Sequence, residues 1–159
     1  MFWNKDRKIE ASIIGGMVLI LMLFIPKRKI REAQVAFLFK QVITWLWGLI
    51  VVEKGLIEYP NRLFFQKANK ASFTFEYFIY PGFCVLFNIY YPEKRSQIIK
   101  SLYNLFWTSL ITLPEVYAVK YTNLIKYKKW TWYWSFITIF ITNAISRWYY
   151  KWFFQQSTK

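Results

Sequence analysis

The chain has 159 residues, 56% hydrophobic and 23% aromatic, with 22 Lys and Arg against 8 Asp and Glu, a formal charge of +14 and no histidine. A single cysteine and no histidine exclude an intramolecular disulfide, zinc sites built on Cys and His, and any Ser-His-Asp or Cys-His catalytic arrangement. The positive charge would ordinarily favour nucleic acid through counterion release, but the cations cluster between apolar stretches, where membrane loops carry them, so no nucleic-acid partner is expected.

Five apolar runs are candidate membrane spans, the first of only 15 residues. The first, residues 11–25, is flanked by Lys5, Arg7 and Lys8 on one side and by Lys27, Arg28, Lys29 and Arg31 on the other. A cationic start before a short apolar run resembles a signal peptide, but Pro26 and a basic cluster follow in place of a small-residue cleavage site, so an uncleaved anchor is expected. The second run, residues 35–52, contains Lys40. Residues 54–70 then form a loop with the turn signal Glu58-Tyr59-Pro60-Asn61 and the apolar Leu63-Phe64-Phe65, suited to lying in the interface.

The third run, residues 71–92, carries Glu76 as its only charge, and the fourth, residues 101–119, carries only Glu115. Each fits a hydrocarbon core about 30 Å thick, which takes ~20 residues of helix. The fifth, residues 130–148, ends near Arg147. Trp45, Trp47, Tyr90, Tyr91, Trp130, Trp132, Trp134, Trp148 and Trp152 gather near span ends, where amphipathic rings settle at headgroup depth. The fold class expected is therefore all-α: one polytopic membrane bundle of about five helices. Lys and Arg number eleven on the N-terminal side and ten on the other, which sets no orientation.

Four carboxylates, Glu53, Glu58, Glu76 and Glu115, lie inside or at the ends of these runs. Following the chain across the bilayer places all four toward the N-terminal side, with Lys40, Asn88, Asn104, Asn143 and Arg147 toward the other. A direct Lys40–Glu115 ion pair is not expected, because the rise of about 1.5 Å per residue separates them by half the membrane. The nearer partners expected for the acids are Arg62, Lys120 and the Tyr and Trp donors of the aromatic belt. Either Arg62 pairs with Glu76 or Glu115 and fastens the loop, or the clustered carboxylates repel until one holds a proton or a cation is bound.

Polar side chains recur at helical spacing. Glu76, Tyr80, Cys84 and Asn88 share one face; Asn104, Thr108, Thr112 and Glu115 share another; Ser135, Thr138, Thr142 and Ser146, with Gln41, Thr44 and Gly48, supply two more. Four such stripes imply a polar bundle interior. Helix glue is the plain meaning of the stripes; a path or pocket for a cation or headgroup is the sharper one. Pro81 and Pro114 each remove a helical hydrogen bond, which kinks a span or frees carbonyls for a cation beside the acid.

Glu58-Tyr59-Pro60 with Arg62, Ser72-Phe73-Thr74-Phe75-Glu76-Tyr77, Phe87-Asn88-Ile89-Tyr90-Tyr91-Pro92-Glu93-Lys94, Tyr121-Thr122-Asn123-Leu124-Ile125-Lys126-Tyr127 and Trp130-Thr131-Trp132-Tyr133-Trp134 resemble a family of small multi-pass membrane proteins from endospore-forming bacteria. The resemblance covers residues 53–154 and implies a plasma or spore membrane protein. It implies no activity, substrate or catalytic residue.

Expected, then, is a non-enzymatic structural or accessory membrane protein, with membrane lipid and a homo-oligomeric or other membrane-protein partner, and with no cofactor or metal. Its polar core or cation site draws on Glu53, Glu58, Glu76, Glu115, Arg62, Asn88, Asn104, Lys40 and Arg147. A small cation or proton transporter using the carboxylates is the alternative. An embedded lipid-processing enzyme, with a carboxylate base and Arg147 or Arg62 on phosphate, is the distant one.

Overall fold

In the computed structural model, residues 5–65, 67 and 70–155 are described. Five α-helices are found among them: α1 (Lys5–Phe24), α2 (Ile30–Glu53), α3 (Tyr80–Ile89), α4 (Gln97–Tyr121) and α5 (Trp132–Gln155). Pro26 halts α1, and a 3-10 turn, Lys27–Lys29, leads into α2. Gly55, at φ +62°, ends α2 in a double closure, with Leu56 N–H donating to the Val51 carbonyl and Gly55 N–H to that of Val52. That is the Schellman arrangement, in which the left-handed position suits glycine.

The expected all-α class needs one amendment. Ile57–Glu58 (β1) pairs antiparallel with Lys126–Tyr127 (β2), Ile57 opposite Tyr127 and Glu58 opposite Lys126. The loop after α2 is thereby tied to the α4–α5 connection. Arg62 strengthens this region by donating to the Tyr59 carbonyl at 2.5 Å and the Lys70 carbonyl at 3.3 Å.

The third apolar run begins irregularly. Phe75–Ile79 forms a π-helical turn before α3, so that Tyr80 N–H reaches back to the Phe75 carbonyl. Pro81 has no N–H to offer the turn behind it. The consequence is that the carbonyls of Glu76 and Tyr77 find donors on α2: Thr44 Oγ1 at 2.5 Å and Gln41 Nε2 at 3.0 Å.

By length and composition, one helix among the described residues, Lys27–Glu53 at mean hydropathy 1.9, is able to cross a membrane; Phe75–Ile89 is apolar but shorter. About five spans were expected, and by this measure one of the five helices among the described residues qualifies. α1 opens on Lys5, Asp6, Arg7, Lys8 and Glu10, and the inward stripes of α4 and α5 lower their mean hydropathy.

Packing inverts the usual order of a soluble domain. Lys40, Glu10 and Asn143 are each 1% exposed, whereas Leu23 is 78%, Met22 75% and Ile98 74% exposed. The apolar core is split into two ends: Met17, Val51, Ile57, Tyr59, Phe75, Ile79, Leu124 and Ile125 at one, and Ala33, Ala36, Val85, Ile89 and Tyr150 at the other. Buried polar side chains, Lys40, Asn104, Thr108, Thr112 and Asn143 among them, are interspersed with apolar ones in the rest of the interior.

Candidate functional site

The polar interior holds a slot of about 70 Å³ between α2 and α5, backed by the start of α3 and by α4. On α2 its wall is Lys40, Ile43, Thr44, Trp47, Gly48 and Val51, spaced i, i+3, i+4, i+7, i+8, i+11, which is one helical face. That face is about 16 Å long at 1.5 Å per residue. On α5 the wall is Ser135, Thr138, Ile139 and Thr142. Glu76, Tyr80 and Glu115 complete it, with Tyr59 and Trp130 from the connections.

Glu115, at one end, is filled with donors. Tyr127 and Ser135 hydroxyls donate to Oε1 at 2.6 and 2.7 Å, and Tyr80 donates to Oε2 at 3.2 Å. Trp130 Nε1 in turn donates to Ser135 Oγ at 2.9 Å. Burial and the adjacent Glu115 carboxylate raise the Tyr127 phenol above its ordinary range, and burial with Glu76 and Glu115 does the same to Tyr59. Both phenols therefore stay protonated, and Tyr127 serves Glu115 as a donor.

Glu76 is different. It is 2% exposed, and neither Oε1 nor Oε2 has a hydrogen-bonded partner, although the Tyr59 hydroxyl approaches the group. Its carboxyl lies against α2 where the chain has Gly48. A Cβ there would fall 2.1 to 2.3 Å from the carboxyl atoms, so any other residue would collide with Glu76.

Lys40, at the opposite end, is buried without a carboxylate. Its ammonium donates to Thr142 Oγ1 at 2.7 Å and Asn143 Oδ1 at 2.9 Å, and no ion pair joins it to Glu76 or Glu115. Beyond it, Cys84 Sγ and Ser146 Oγ are 2.9 Å apart, and Asn88 Nδ2 reaches Ser146 Oγ at 3.2 Å. Arg147 then donates to the Asn88 carbonyl at 3.1 Å and to Glu93 at 2.6 Å, while Lys151 holds the other Glu93 oxygen at 2.9 Å. The two cations, Lys151 foremost, hold the Glu93 carboxyl below its ordinary range. A file of polar groups thus runs from the Tyr127 end of the bundle to the Glu93 end.

The expected site residues divide clearly. Glu76, Glu115 and Lys40 meet on the slot; Asn88 and Arg147 lie further along the file; buried Asn104 donates to the Phe140 carbonyl at 3.2 Å. Glu53 and Glu58 do not belong to the interior: both are exposed, and Glu58 pairs with Lys128 at 3.2 Å. Arg62 does not clasp Glu76, whose oxygens accept nothing, and Glu115 is occupied by hydroxyls. Lys120 lies over the Tyr121 ring, 5.2 Å from its centroid.

Two buried acids have no counterpart among the expected ones. Asp6 accepts from Asn61 Nδ2 at 2.6 Å, and Glu10 accepts from Thr74 Oγ1, tying α1 to the 59–74 connection. The charged neighbours Lys5, Arg7 and Lys8 mark that stretch as a solvated flank. The available signal was Asp6 and Glu10 at i, i+4, which places both on one face. No three His, Cys, Asp or Glu side chains group as a metal set among the described residues. No family model, curated protein or solved structure matches the chain.

Proposed function

We propose that this chain is a multi-pass membrane bundle that moves a proton or a small monovalent cation past the Glu76–Glu115 layer. The observation that carries this reading is the Glu76 carboxyl, sealed from solvent with both oxygens unbonded, on the wall of a slot that also holds Glu115 and Lys40. Buried polar groups are normally bonded, and an unpaired carboxylate inside a membrane is a functional signal. The apolar exterior of Leu19, Met22, Leu23, Ile98, Leu113 and Trp148 supports lipid as the surrounding solvent. The resemblance to proteins of endospore formers favours a bacterial plasma or spore membrane and a role in sporulating cells. Purified protein in liposomes should pass protons or a monovalent cation. The flux should be lost in Glu76→Gln and Glu115→Gln proteins that still melt as the unsubstituted chain does. Equal flux in both variants would overturn the reading.

A structural or accessory role, with no catalysis, is the second reading. It is favoured by the Cys84, Asn88, Ser146, Arg147 and Glu93 cluster, which bonds α3 and the chain beyond it to α5 as helix glue does. A stable homo-oligomer or a co-purifying membrane protein in detergent would support it. The enzymatic reading has less behind it, since neither Arg62 nor Arg147 lines the slot beside the carboxylates.

A further inference from the structure

We propose that the carboxylate end of the slot binds a small organic ammonium ion, so that the cation handled here is a protonated amine. This rests on reading the slot as a cation path and names the class of ion. Three features converge on it.

The first is the vacancy in hydrogen bonding at Glu76. Both carboxyl oxygens are buried with no well-formed hydrogen bond, only the Tyr59 hydroxyl and the Ser72 backbone lying near the group, and Gly48 clears the ground on which the carboxyl rests. An N–H-bearing cation supplies the donors such a group lacks, and a charge-assisted bond in a dry site is among the stronger hydrogen bonds.

The second is the wall around it. Trp47, Tyr59, Tyr80 and Trp130 all line the slot, and aromatic faces attract ammonium and alkylammonium ions. A hard metal cation such as calcium instead takes about six to eight oxygen ligands. Here Glu115 already accepts from three hydroxyls, two of them on Oε1, which leaves Glu76 as the more open acceptor. A shell that poor in free oxygen suits an ion whose own N–H groups need few partners.

The third is size and charge. At about 70 Å³, with a water needing roughly 10 to 15 Å³ measured in this way, the slot takes a handful of waters or an amine of similar bulk. Lys40, fixed at the other end by Thr142 and Asn143, repels a second positive charge. A monocation of methylammonium size is therefore selected over a polyamine.

The test is calorimetric titration of the full chain in nanodiscs with methylammonium chloride, sodium chloride and potassium chloride, alongside flux of each ion and of protons in liposomes. Saturable methylammonium binding, tighter than that of either alkali ion, is expected. Glu76→Gln should weaken it by about tenfold or more, because the remaining charge loses its partner in a dry site. Trp47→Leu, at a half-exposed wall position, should weaken it several-fold and keeps the test open if Glu76→Gln does not fold. Glu53→Gln, outside the slot, should bind as the unsubstituted chain does. Methylammonium binding no tighter than potassium, or binding that survives Glu76→Gln, would overturn the inference. Proton or potassium flux without methylammonium binding would overturn it too and leave the transport reading standing. Methylammonium binding without flux of any ion would overturn the transport reading and leave the site.

Discussion

Gly48 and Glu76 show how one missing side chain decides where a charge can sit. The glycine removes the Cβ that would stand 2.1 Å from the carboxyl carbon, and Thr44, one turn earlier on α2, takes the Glu76 carbonyl. Pro81 makes this second bond necessary, because its missing N–H leaves the π turn with carbonyls to satisfy. Thr44→Val should therefore destabilise the bundle by about 1 to 3 kcal/mol, the range for leaving a buried polar group unbonded. In a Pro81→Ala background, where residue 81 regains its N–H, the same change should matter less. A double-mutant cycle of unfolding in detergent measures that coupling, and a coupling of zero would separate the proline from the threonine.

At the scale of elements, the chain is held by polar clasps at its ends and by polar stripes along its helices. Each stripe was legible because i and i+4 share a helical face whatever surrounds it: Asn104, Thr108, Thr112 and Glu115 all turn inward, as do Cys84 and Asn88. What the stripes pair with was not legible. Glu93, in the α3–α4 connection, joins Arg147 and Lys151 of α5, an association across more than fifty residues of sequence that local pattern does not encode. Its carboxyl is held below the ordinary 4.5 by Lys151 first and Arg147 next, against the opposing effect of burial. A depressed folded value means that the clasp stabilises fully above 4.5 and is lost as the pH falls through the folded value. The melting temperature of the unsubstituted chain should exceed that of Glu93→Gln at neutral pH, and the gap should close as the pH is taken below 4.5. A gap that stays constant through acid pH would show that the carboxylate charge does not matter.

For the whole molecule, the alternation of apolar runs and basic connections predicts that the α3–α4 and α4–α5 connections lie on opposite sides of a bilayer. Cys84 is buried at 1% exposure, so in a Cys84→Ser background a single cysteine placed by Lys94→Cys or by Lys129→Cys reports one connection at a time. Impermeant thiol reagents should label the two from opposite faces of sealed vesicles. Labelling of both from the same face would reject α4 as a crossing helix, and with it the five-span arrangement.

The sequence by itself determined the number of long helices, their approximate limits and the inward faces of four of them, because hydrophobic periodicity and breaker residues act over a turn or two. It also marked Glu76 and Glu115 as interior acids, since each stands alone in an apolar run. Tertiary structure decided which other acids are buried. Glu53, at the end of α2, and Glu58, on β1, stay exposed, while Asp6 and Glu10, set among lysines and arginines, are buried and bonded to Asn61 and Thr74. It also decided that Lys40 and Glu76 face one slot without touching. Burial of a charge depends on what another part of the chain lays over it, and that contact is made across tens of residues, beyond the reach of any local pattern.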